Sequence, residues 1–129
     1  MMPWFSIDGA RYNMPCSIER EAEIRSSELS GLLLDKKYFN DPLGTYMKYT
    51  IAIAVPTGQE QNYAALYELL TNPVAEHRCD LPYNQGRKII IGRIETVSDK
   101  YFQEEDGIHV WRGTKFSIIA NEPSKVSQL

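Results

Sequence analysis

From Tyr46 to Val55 apolar and polar side chains alternate: Tyr49, Ile51, Ile53 and Val55 fall on one face, and Lys48, Thr50, Ala52 and Ala54 on the other. A pleated strand points successive side chains to opposite sides, so this segment predicts a half-buried β-strand whose small second face leaves room for another element. Ser17 to Arg25 repeats the pattern, with Ile18, Ala22 and Ile24 opposite Glu19, Glu21, Glu23 and Arg25. That is a strand with a solvated acidic face. Ahead of it, Trp4-Phe5-Ser6-Ile7, the turn pair Asp8-Gly9 and Arg11-Tyr12 predict a small hairpin. Between the two strands, the breakers Ser30-Gly31 and Asn40-Asp41-Pro42 bracket Leu32-Leu33-Leu34 and Asp35-Lys36-Lys37, which predicts a projecting hairpin or loop.

The period changes after Pro56. Thr57-Gly58-Gln59-Glu60 has the capping-box form, and Tyr63, Leu66, Tyr67 and Leu70 follow at i, i+3, i+4 and i+7 before Asn72-Pro73 stops the run. A helix of about twelve residues is too short to hold alone, so its apolar stripe must dock on the sheet. Val74 to Leu81 alternates again with His77, Cys79 and Leu81 on one face, and Pro82-Tyr83-Asn84-Gln85-Gly86 turns the chain. Arg87 to Val97 reads as a central strand, because Ile89-Ile90-Ile91 is apolar on both faces, and Gly92 predicts a bulge or a close backbone approach. Gln103-Glu104-Glu105-Asp106-Gly107 reads as a turn between Tyr101-Phe102 and a last strand, Trp111 to Asn121, with Phe116, Ile118 and Ala120 on one side. The elements sum to a mainly β (α+β) fold: an antiparallel β-sandwich or open barrel with one amphipathic α-helix packed against it, in a single domain over residues 1–123 with a frayed tail at 124–129.

Composition adds exclusions. The chain has 129 residues, 43% of them apolar, which suffices for one ordinary core. With a net charge of −3 and basic residues scattered singly, no direct nucleic-acid contact is expected. No apolar run approaches the roughly 20 residues that span a bilayer, and Met1-Met2-Pro3-Trp4-Phe5 lacks the basic-then-apolar order of a secretory leader, so no membrane partner is expected.

Candidate chemistry is sparse. His77 and Cys79, two apart on one strand face, have the spacing of two metal ligands, but a site needs a third and fourth, and only Cys16 and His109 remain. Packing in the core is the favoured reading, with both cysteines reduced. Glu19, Glu21 and Glu23 are what any solvent-facing strand displays, and Glu104-Glu105-Asp106 lacks the loop pattern of a calcium site. Nucleotide, metalloprotease and hydrolase motifs are missing, so neither catalysis nor a cofactor is expected.

Landmarks along the chain are WFSIDG from Trp4, Leu43-Gly44-Thr45-Tyr46 leading into Lys48-Tyr49-Thr50-Ile51, and Tyr63-Ala64-Ala65-Leu66-Tyr67-Glu68-Leu69-Leu70 before Pro73-Val74. Leu81-Pro82-Tyr83-Asn84-Gln85-Gly86 and Trp111-Arg112-Gly113-Thr114-Lys115-Phe116, closing at Ala120-Asn121-Glu122-Pro123, complete the set. From Trp4 to Pro123 the chain resembles small structural proteins encoded in prophages of Gram-positive bacteria, in the tail-morphogenesis region. The resemblance implies a bacteriophage virion protein with a fold like the tail-tube and distal-tail group, held in the bacterial cytoplasm before assembly, whose partners are copies of itself, assembled as a ring, and other phage structural proteins. The family is glycine-rich over Leu32 to Asp41, where this chain is not.

A ring subunit joins its neighbours through sheet edges and aromatic patches. The candidate arm is Arg25 to Tyr46, carrying Leu32, Leu33, Leu34, Tyr38 and Phe39; further interface candidates are Tyr83 and Tyr101 beside turns, and Trp4. The alternative from another class is a monomeric ligand- or carbohydrate-binding β module using Trp4, Tyr83 and Trp111.

Overall fold

A computed structural model describes residues 4–26, 31–32, 38–39, 42–54 and 58–126. Its centre is an antiparallel pair, β6 (Pro42–Ile53) and β10 (Ile108–Ala120), joined in a register that sets Lys48 opposite Ile119 and Ala52 opposite Lys115. β3 (Cys16–Ser26) runs along the free edge of β6, while β11 (Lys125–Val126) follows β10 on the edge it shares with β6. The far edge of β10 takes two strands in succession, β8 (Gly86–Arg93) and β9 (Val97–Glu105). β7 (His77–Tyr83) pairs with β8, and the hairpin of β1 (Phe5–Ile7) and β2 (Ala10–Tyr12) joins through β1. A separate two-stranded ladder links β4 (Gly31–Leu32) to β5 (Tyr38–Phe39).

All pairings are antiparallel and the described sheet is not closed, so the mainly β reading with one helix holds. The sheet nonetheless curls. Tyr49 Oη on β6 donates to the carbonyl of Pro82 on β7 at 2.7 Å, and the rings of Phe5 on β1 and Phe116 on β10 lie 6.1 Å apart, although neither pair of strands is adjacent. Alternate residues of the curled sheet, among them Ile51, Cys79, Leu81 and Ile118, fill one core, and α1 (Glu60–Leu70) adds Tyr63, Leu66 and Leu70.

A bulge ties the helix to the sheet. Between Arg112 and Lys115 the β9–β10 register shifts, with Gly113 at φ 76°, a left-handed value strained for any other residue. Thr114 N–H donates instead to Tyr63 Oη at 3.0 Å, and Tyr63 Oη donates to Asp99 Oδ2 at 3.3 Å. One phenol thus joins α1, β9 and β10.

Several boundaries differ from the sequence reading. β3 is a strand, but beyond Ile18 both its faces are exposed, Ala22 and Ile24 included, because nothing described covers that stretch. Ala52 is half-buried and Ala54 exposed, and the chain from Arg87 breaks at residues 94–96 before β9. Ile89 is exposed, while Ile90 is buried and Ile91 half-buried. The helix begins at Glu60 after an N-cap at Gln59 without a side-chain bond; Thr57 lies outside the described residues. β7 runs through Pro82 and Tyr83, and the acidic tip shrinks to Asp106-Gly107, whose positive φ values of 51° and 81° let the strands run on to Glu105 and from Ile108. Within the stretch read as a frayed tail, Lys125 and Val126 pair with Thr45 and Gly44.

Gly92 is a close approach: a Cβ there would lie 2.7 Å from the carbonyl oxygen of Ile119. Backbone cannot yield as a side chain can, so Gly92→Ala is expected to destabilise the fold by about 1–3 kcal/mol, read from the urea midpoint.

Candidate functional site

The β6–β10 register leaves both strands overhanging, in opposite directions. Residues 42–46 run past the end of β10 with β3 alongside, and residues 108–113 run past the end of β6 with β9 alongside. At about 3.3 Å per residue these ribbons extend the sheet by roughly 15–20 Å at each end. Both carry exposed apolar side chains: Ile24, Leu43 and Val126 on the first, and Tyr101, Phe102, Ile108 and Trp111 on the second, with the Arg112 guanidinium 3.5 Å from the Phe102 ring centroid. Ile24 is 66% exposed and Ile108 55%. Among the described residues the outer edges of β3 up to Arg25 and of β9 have no strand partner.

Of the interface candidates, Tyr101 is placed best. Its hydroxyl meets His109 Nδ1 at 3.0 Å, and Trp111 stands edge-on to its ring at 5.1 Å, which fixes an aromatic patch on the second ribbon. Leu32 pairs with Tyr38, and Gly31 with Phe39, in the β4–β5 ladder, which lies between β3 and β6 in sequence. Leu33 and Leu34 lie outside the described residues. Trp4 is covered rather than free: the guanidinium groups of Arg87 and Arg11 lie 3.3 Å and 3.9 Å from the ring centroid. Tyr83 is half-buried against the core, with Arg20 and Lys88 over its ring. Trp111 lies on the second ribbon, while the rings of Trp4 and Tyr83 are each engaged by cations. The exposed apolar side chains of Phe102 and Ile108 were not legible, because the stretch holding them reads as a turn and its approach.

His77 and Cys79 point into the core from β7. His77 is 2% exposed, and its Nδ1 pairs with Asp8 Oδ2 at 2.7 Å, while Asp8 Oδ1 accepts from Arg78 N–H at 2.8 Å. Asp8 sits in the β1–β2 turn at φ 52°, so the turn residue doubles as the partner of a buried imidazole. His109 lies eleven positions along β10 from Ala120, the residue level with Gly92 and hence His77, which is roughly 36 Å of strand. Among the described residues no three of His, Cys, Asp and Glu gather as a metal site.

A cleft of about 360 Å³ opens beside the second ribbon. One wall is α1, through Glu60, Tyr63, Ala64, Tyr67 and Glu68; the other is Asp99, His109 and Trp111. No family model matches the chain, and no curated protein is significantly similar to it.

Burial, with the Asp8 charge adding to it, pushes the Cys79 thiol up to about 12, and burial alone raises Cys16. The unfolded thiol ionises near 9.0, so the unfolded chain loses its proton first; this contribution to stability is intact below pH 9 and declines from there towards pH 12. In the native protein at pH 8, a thiol reagent is expected to react with half-buried Cys16 and to spare Cys79, and to label both after denaturation, as read by mass spectrometry. Asp8→Ala orphans His77 and places a Cβ residue without a side-chain acceptor at a left-handed turn position. A loss of about 1–3 kcal/mol is expected from thermal or urea unfolding.

Proposed function

We propose that this chain is a structural subunit that works by head-to-tail assembly, as a component of a bacteriophage tail or head-to-tail junction. The carrying observation is the pair of apolar ribbons at opposite ends of one sheet. Two unlike patches pointing in opposite directions make a heterologous contact, which closes into a ring when its rotation permits and otherwise extends into a tube or filament. Unpaired strand edges on each ribbon supply backbone hydrogen bonds, and Ile24, Leu43, Phe102 and Ile108 supply the apolar part. The virion setting rests on the sequence resemblance. The role is structural rather than catalytic.

The test is light scattering coupled to size exclusion over a wide concentration range. The wild-type chain is expected to form discrete oligomers that grow with concentration. Ile24→Asp with Leu43→Asp disables the first ribbon, and Phe102→Asp with Ile108→Asp the second; all four side chains are exposed, so the core is untouched. Each double variant alone should stay monomeric, and an equal mixture should yield a one-to-one dimer, since each then retains the face the other lacks. A wild-type monomer at every concentration, or self-association of either variant alone, overturns the head-to-tail reading.

A further inference from the structure

On α1, Glu60, Tyr63, Ala64, Tyr67 and Glu68 recur at intervals of three, four, seven and eight, so they form a single stripe. The apolar stripe of Tyr63, Leu66 and Leu70 faces the core, and this second stripe borders the cleft shared with Asp99, His109 and Trp111. At 1.5 Å per residue the two glutamates stand about 12 Å apart along the helix axis, with Tyr67 between them. A volume of about 360 Å³ falls within the range of small-ligand sites.

The lining is of one charge. Glu60, Glu68 and Asp99 contribute carboxylates, and none of the lining residues is Lys or Arg. Glu68 has no ion-pair partner among the described residues, and Asp99 is held by Tyr63 through Oδ2, which leaves Oδ1 without one. Trp111 is held edge-on to Tyr101, which is itself bonded to His109. The cleft therefore brings the rings of Tyr67 and Trp111 together with three carboxylates, two from the helix and one from the strand across from it.

We infer that the cleft between α1 and the β9–β10 ribbon binds an alkyl cation, a guanidinium or ammonium group on a methylene stem, such as an arginine or lysine side chain or a free polyamine. The stem lies along Tyr67 and Trp111, where aromatic faces attract a cation and shield its methylenes. The head group pairs with Asp99 or with one of the two glutamates. An anion would meet three like charges, and a neutral ligand of the same shape would leave those carboxylates unpaired.

The site belongs to the single subunit and does not rest on assembly, so it is tested in the Ile24→Asp, Leu43→Asp variant. Agmatine, the acetylated and amidated tripeptide Gly-Arg-Gly, and butylurea as a neutral isostere are titrated while tryptophan fluorescence is followed. Agmatine or the peptide is expected to give a saturable change that disappears in Trp111→Phe and leaves the Trp4 signal. Binding should weaken about two- to fivefold in Glu68→Gln, whose exposed side chain has no structural partner, and weaken again as ionic strength rises from about 0.02 to about 0.5 M. Tighter binding of the peptide than of agmatine assigns the site to a polypeptide side chain, and equal or tighter binding of agmatine assigns it to a free amine. Butylurea binding as well as the cations, or no saturable change with any of the three, overturns the inference.

Discussion

Five paired residues on each side, Lys48 to Ala52 of β6 against Ile119 to Lys115 of β10, hold the rest of the molecule in place. Side chains alternate along a strand, so this register alone decides that Tyr49, Ile51, Phe116 and Ile118 turn inward together; a slip of one residue would move all of one strand's apolar set into solvent. The same offset fixes how far each strand runs beyond the other. Core and ribbons are therefore two outcomes of one alignment: where β6 and β10 overlap their inner face is covered, and where each runs past the other its apolar side chains stand in solvent.

Much of this was readable wherever one face of a strand is buried. The β1–β2 hairpin follows from its Asp8-Gly9 turn, and the inward faces of β6, β7 and β10 and the helical stripe of α1 follow from periods of two and 3.6 in the sequence. Reading failed where alternation persists without burial. Ile18, Ala22 and Ile24 alternate regularly, yet only the first is even partly covered, because burial depends on whether another element reaches that length of strand. Turn residues also misled at Gln103 to Gly107. Asp106 and Gly107 suffice to reverse the chain, and the acidic residues before them are strand after all.

The site was less legible than the fold. Tyr63 is recognisable as a core residue from its spacing, but its bonds to Thr114 and Asp99 cross 51 and 36 positions of sequence. Asp8 likewise reads as a turn former, and nothing local announces that it meets His77, 69 residues on. The cleft combines the outer stripe of a helix with residues from two later strands, so no sequence window contains it. By contrast, Tyr101 beside a turn was recognisable as a surface aromatic, and the structure gives it neighbours that hold its ring.

The phenol of Tyr63 has one more consequence. A ribbon of two strands standing away from a core samples many orientations about its base, and any contact made at its tip must freeze that motion at an entropic cost. At the base of β9–β10, Tyr63 accepts from Thr114 on one strand and donates to Asp99 on the other, and its ring is buried with Leu66 and Leu70 under the helix. The lever is clamped where it leaves the body. Contacts at Phe102 or Ile108 then begin from a direction already chosen by folding, and the conformational freedom they still have to remove is that of the tip alone.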